Sequence, residues 1–347
     1  MAWSFRTRFV LRLLPALALL LAGGLARAEE VRIGVLGASS DAPYYIADAK
    51  GYFGAAGIEP KFVNATNTAQ LVAPLGTGEL DVGSGAPSAS LYNAVARGID
   101  IKIVADKGSM PRGYGFMPLL VRKDLIDSGR FRSFADLKGL RVGSPTPGGA
   151  NVSTLNEALK KGGLTLNDVE AVFMGQLELA LALENRALDA ALVTEPNATL
   201  AVDDGKAVRF AGGDEIYPDQ QLSVVVYSGE FIRKRPETAK RFMLAYIRAV
   251  RDYNDALRDG HLAGRGADEI IGIMTRYAKV KDPKIYRDMV PNGVNPDGRV
   301  NLASLQEDHD LFGTLGLLKG NSNVKDLVDL SFADAAVAVL GPYRRKE

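Results

Sequence analysis

From Val31 onward the chain alternates short apolar, β-rich runs with runs long enough for a helix, and places small residues where they meet. Val31–Leu36 reads as a buried strand, Ala42–Gly54 as a helix, Glu59–Val63 as a strand and Thr68–Thr77 as a helix. Val82 opens a short strand, Pro87–Arg97 is a helix and Ile99–Asp106 a strand. Few architectures accept that order. Strands that alternate with helices build βαβ units on a largely parallel sheet, so the fold class is α/β. In such a sheet small molecules bind at the loops that follow the strand ends.

The segment Lys107–Gly115 holds three Gly and a Pro and reads as a flexible connection between two lobes. A second α/β unit follows, with strands at Met117–Val121, Leu140–Gly143, Val169–Met174 and Ala190–Val193 and a helix at Ala150–Lys161. Near Ile216–Val226 the chain crosses back to the first lobe. Beyond Arg235 it is mainly helical: Phe242, Tyr246, Ala249 and Tyr253 share one helix face, Asn292–Gly298 is a loop, and Asp326–Leu340 reads as a further helix. The expected organisation is a targeting segment at 1–28, a first lobe at 29–115, a second at 116–215 and a return to the first at 216–347.

The targeting segment has a basic head (Arg6, Arg8, Arg12), an apolar run from Leu13 to Ala22 too short to span a bilayer, and a small-x-small site at Ala26-Arg27-Ala28. Cleavage after Ala28 and export to the periplasm are expected. The chain carries 42 Lys and Arg against 41 Asp and Glu; without the four arginines of the segment, 38 basic residues face 41 acidic ones. A balanced, slightly acidic surface argues against nucleic acid as partner. There is no Cys and only two His, which argues against a transition-metal site; no cofactor is expected.

Several short motifs occur in a characteristic order: Ala42-Pro43-x-Tyr45-x-Ala47, Gly51-x-Phe53, Gly57-Ile58, Gly78-Glu79-Leu80-Asp81, Asp136-Leu137-Lys138-Gly139, Glu195-Pro196, Pro236 and Asp329-Leu330-Ser331-Phe332. With them the chain resembles the periplasmic solute-binding proteins of nitrate-, taurine-, alkanesulfonate- and thiamine-precursor-type ABC importers. That resemblance implies a type II periplasmic-binding-protein fold: two lobes, each a mainly parallel sheet flanked by helices, joined by two crossing strands around a ligand cleft. It also implies a monomer that closes on a solute and delivers it to an ABC permease with its ATPase. A sensor role before a membrane receptor uses the same closed form. An enzyme on this fold is the other rival, like a fungal pyrimidine synthase that uses iron, a Cys-rich motif and a His; Cys is absent here, and His261 and His309 lie outside the cleft loops.

Four loops are expected at the cleft. Ser39, Ser40 and Asp41 precede the helix that begins near Pro43; Ser40 or Asp41 caps that helix, and at least one neighbour touches ligand. Ser84, Gly85 and Ala86 precede the next. Thr146, Gly148, Gly149 and Asn151 surround a helix start that lets backbone approach a ligand. Thr194 and Glu195 form the fourth loop, where Glu195 braces the loop or meets a cation or amine, and bracing is the expectation. At most one of Tyr44 and Tyr45 faces the cleft, since adjacent helical residues point about 100° apart. Tyr114 and Arg112 lie in the connection; Arg112 pairs with a carboxylate or sulfonate, or is simply solvated. Helix N-termini facing one cleft favour an organic anion, a sulfonate or an aromatic carboxylate, ahead of nitrate or a cation.

Overall fold

A computed structural model describes residues 28–346. The expected targeting segment lies outside the described residues, apart from Ala28. Among the described residues no helix is long and apolar enough to cross a membrane.

Ten strands form two sheets. They are β1 (Glu29–Val35), β2 (Ile58–Asn64), β3 (Val82–Gly85), β4 (Ile101–Ser109), β5 (Leu119–Arg122), β6 (Arg141–Ser144), β7 (Glu170–Phe173), β8 (Ala190–Leu192), β9 (Ala207–Ala211) and β10 (Gln221–Ser228). The first sheet runs β2-β1-β3-β10-β4, the second β7-β6-β8-β5-β9. β1 is parallel to β2 and β3, and β6 to β7 and β8. β10 returns antiparallel between β3 and β4, and β5 runs antiparallel between β8 and β9. The chain therefore leaves the first sheet after Ser109 and re-enters it at Gln221. Each sheet is mixed and mainly parallel where the βαβ units lie, which is the two-lobed α/β architecture the sequence implied.

The principal helices are α1 (Ala42–Ala49), α2 (Ala69–Thr77), α3 (Ala89–Ala96), α4 (Ala150–Lys161), α5 (Gln176–Glu184), α6 (Asn197–Asp203), α7 (Pro236–Ala256), α8 (Ala267–Tyr277), α9 (Leu302–Thr314) and α10 (Ser331–Leu340). α7 packs on α1 and α10, and Phe242, Tyr246, Ala249 and Tyr253, the face expected from periodicity, are all fully buried. The second lobe has its own core around Leu119, Val121, Val142, Leu155 and Leu192.

Three local expectations are corrected, and one strand is added. Ala42–Gly54 is not one helix: Gly51 takes a left-handed φ of 72°, which ends α1 and restarts the chain at Tyr52. Lys107–Ser109 is the end of β4 rather than loop, paired with β10 across the lobe crossing. Asp326–Leu340 is interrupted after Leu327 and resumes at Ser331. β9 was not visible in the sequence; it adds to β5 as an antiparallel edge.

Candidate functional site

Loops at the C-terminal ends of strands from both sheets enclose one cavity. The first lobe contributes Leu36, Ala38 and Ser40 after β1, Thr66, Asn67 and Thr68 after β2, and Gly85 and Ala86 after β3. The second contributes Pro145, Thr146 and Asn151 after β6, Gln176 after β7 and Thr194 after β8. Phe116, Met117, Leu222 and Ser223 come from the two crossing segments. No lining side chain is ionisable. A larger open depression around His261, Gly266, Asp268 and Arg287 meets none of these strand ends.

The lobes touch across this cavity through backbone. Ala89 N donates to Gly148 O at 2.8 Å and Ala150 N to Pro87 O at 2.9 Å, so Ser88 and Gly149 face each other as a one-residue antiparallel bridge. On the other side Ser39 N donates to Glu195 O at 2.9 Å. The lobes are therefore in contact around the cavity, and Gly148 and Gly149 take part in one of those contacts.

Beneath Ser40 lies a buried ion pair. Asp41 Oδ2 accepts the N–H groups of Leu36, Gly37 and Ala38 at 3.0, 2.7 and 3.2 Å, which folds the loop after β1. Its Oδ1 lies 2.8 Å from Lys107 Nζ, and both side chains are fully buried. Lys107 also donates to Ser40 Oγ at 2.8 Å and to Ser223 Oγ at 3.4 Å. The crossing strands are pinned nearby, where Gln221 Nε2 donates to Asp106 Oδ1 at 2.7 Å. Burial pushes the Asp106 carboxyl up to about 6, against the hydrogen bonds from Asn295, Gln221 and Gly108 that hold it down.

The expected site residues fall into three groups. Ser40, Gly85, Ala86, Thr146, Asn151 and Thr194 line the cavity. Ser39, Asp41, Ser84, Gly148, Gly149 and Glu195 are not among the lining residues and stand behind or beside them: Ser84 Oγ donates to Gly34 O at 2.7 Å, and Glu195 pairs with Arg209 while accepting Thr199 N–H at 2.9 Å, a bracing arrangement. Tyr44, Tyr45, Arg112 and Tyr114 stand apart. Tyr44 packs on Tyr246 at 5.3 Å between ring centroids and Tyr45 on Phe62 and Tyr277, so both point into the first lobe's core. Arg112 is exposed, and Tyr114 lines a separate pocket beside Asn254 and Arg345. The sequence reading missed Thr66–Thr68, Gln176, Ser223 and Lys107. Thr66–Thr68 and Gln176 follow strands in the expected way, Ser223 lies within β10, and Lys107 carried no signal because its partner is distant in sequence.

Among the described residues, no three of His, Cys, Asp and Glu come together in a way that would hold a metal ion. The model of the family described as NMT1/THI5 like matches residues 39–255, well over half of the chain. The chain belongs to the NMT1/THI5-like family. A Brucella abortus (strain 2308) chain named as a binding protein is 28% identical over 293 residues, 81% of this chain and 84% of its own length. A Saccharomyces cerevisiae 4-amino-5-hydroxymethyl-2-methylpyrimidine phosphate synthase is 27% identical over 223 residues, 61% of this NMT1/THI5-like chain and 62% of the synthase. Among solved structures, the ligand-binding component of an ABC-type import system from Staphylococcus aureus superposes with a TM-score of 0.72 at 18% identity, covering 89% of this chain and 99% of that one. That likeness establishes the periplasmic-binding-protein fold.

Proposed function

We propose that this NMT1/THI5-like chain is the extracytoplasmic binding subunit of an ABC importer that captures a small organic anion, a sulfonate or an aromatic carboxylate. One observation carries the reading: strand ends of both lobes meet around a closed cavity whose walls are hydroxyls, amides and apolar side chains, with no carboxylate among them. Leu36, Phe116, Met117 and Leu222 suit a carbon body, which favours an organic solute over nitrate. The charged end is met by hydroxyl donors, not by a lining cation. Ligand bridging both lobes shifts an open–closed equilibrium by its greater affinity for the closed form, which then docks on a permease.

Synthase activity, as in the yeast relative's name, is the second reading. The cavity walls hold no His, Cys, Asp, Glu or Lys to move a proton or act as nucleophile, and this supports capture without turnover.

The test is thermal unfolding of the exported chain, refolded to remove bound solute, against sulfonates, aromatic and aliphatic carboxylates, nitrate, pyrimidines and amines. A solute at a hundred times its Kd adds about 2.7 kcal/mol. A shift confined to sulfonates or aromatic carboxylates is expected. A shift from amines alone would sink the anion assignment, and conversion of any compound would sink capture.

A further inference from the structure

We propose that the cavity is polarised, with hydroxyl donors on the first-lobe side and an unsatisfied acceptor on the second-lobe side. Its solute then carries a hydrogen-bond acceptor at one end and an N–H or O–H donor at the other, as an amino- or hydroxy-substituted aromatic acid does. This rests on the reading of the cavity as the solute site.

The donor side follows from Lys107. An ammonium only donates, so a serine oxygen that accepts from it must send its own hydrogen elsewhere. Ser40 Oγ and Ser223 Oγ both accept from Lys107 Nζ, and neither hydroxyl donates to another described residue. Both residues line the cavity, so their O–H groups are available to a solute as donors. A Cβ on Gly108 would come within 3.1 Å of Ser40 Cβ and 3.4 Å of Ser223 Cβ, so a glycine between them keeps the two hydroxyls close. Asp41 holds Lys107 in place without reaching the cavity. Lys107 is thus a positioning residue acting through two serines.

The acceptor side follows from Asn151. Its Nδ2 donates to Ser144 Oγ at 2.5 Å and to Thr146 O at 2.9 Å. A carbonyl such as Thr146 O accepts only, so the amide nitrogen must face it and the orientation of the group is fixed. Oδ1 is left buried with no partner, on a residue only 1% exposed. Gly149 keeps this oxygen uncovered, since a Cβ there would lie 2.6 Å from it. Thr194 Oγ1, on the same side, is also buried without a partner and, as a hydroxyl, can accept or donate. A buried acceptor left unpaired costs free energy that a solute N–H or O–H recovers.

The experiment is calorimetric titration of matched pairs: benzoate against 4-hydroxybenzoate and 4-aminobenzoate, and benzenesulfonate against 4-aminobenzenesulfonate. The donor-bearing member is expected to bind about tenfold tighter, the usual effect of pairing one buried polar group. Ser40→Ala and Ser223→Ala should each weaken binding of both members, whereas Thr194→Val should reduce only the advantage of the donor-bearing one. Equal affinity within every pair, or serine variants with unchanged Kd, would overturn the proposal. A ligand-free crystal structure at better than about 1.2 Å decides the polarity independently of any probe. Asn151 Oδ1 turned to the cavity with water donating to it supports the proposal; Nδ2 turned there overturns it. If no pair binds while the crystal shows Oδ1 as described, the anion assignment fails and the polarity stands.

Discussion

Lys107 and Asp41 decide at the scale of single residues how the site is held. Neither touches solvent, and a buried pair of this kind is costly to break because the surviving partner keeps its charge in a place without water. Lys107→Met is therefore expected to destabilise the protein by about 3 kcal/mol, the lower end of the range because Asp41 Oδ2 retains three backbone donors. Lys107→Met combined with Asp41→Asn should recover most of that loss in urea unfolding, since the uncompensated charge is gone. A double variant no more stable than the single one would show that the pair acts through packing rather than charge. The acid was legible in the sequence as a helix-start residue. Its lysine was not, because Lys107 sits in a Gly- and Pro-rich stretch that reads as loop until β10 is placed beside it. The tyrosines failed for the opposite reason: Tyr44 and Tyr45 lie within α1, which offers two faces, and α7 and α8 cover both.

Single helices matter most where the two lobes press together away from the cavity. α9 packs on α4, and Asp308 of α9 is buried there beside Ser153 and Gln220. Burial pushes its carboxyl well above the usual range. The sign is the reverse of a salt-bridged acid. The folded chain holds a proton there that the unfolded chain has already lost, so stability from this group falls as pH rises from the ordinary carboxylate range through the raised value. Asp106 acts in the same sense between its usual value near 3.8 and about 6. Asp308→Asn should therefore gain on the wild type as pH rises, by about 1 kcal/mol, or a few degrees in Tm, at a pH above the raised value. Paired melting curves at about pH 5 and pH 8 would reveal it, and a difference that does not change with pH would refute it. Element by element, the βαβ rhythm and the α7 face were legible because periodicity is local. β9, the break after Leu327 and the α9–α4 contact were not, since tertiary pairing sets all three.

Under the proposed capture the whole molecule works by the difference between open and closed, and its hydrogen bonds offer a way to change that difference alone. Ala89 is the first residue of α3, where a helix has no partner for the N–H; in the closed form it donates instead to Gly148 O across the cavity. Proline is tolerated at that helix position, and Ser88 before it already has the extended backbone, φ −148° and ψ 154°, that a following proline requires. Ala89→Pro thus leaves the first lobe's helix intact while removing the bond and placing a ring carbon against the Gly148 carbonyl. Ala150→Pro does the same from the second lobe, since Gly149 before it is also extended and Ala150 N donates to Pro87 O. Each variant is expected to unfold within about 1 kcal/mol of the wild type, as a compatible proline does, yet to bind its solute at least about tenfold more weakly. The loss arises because affinity scales with the population of the binding-competent state. Small-angle scattering with saturating solute should show the wild type contracting and the variants contracting less. Unchanged affinity with intact folding would mean that closure does not depend on this bridge, and the Ser39–Glu195 contact on the far side of the cavity would then be the one that holds the lobes together.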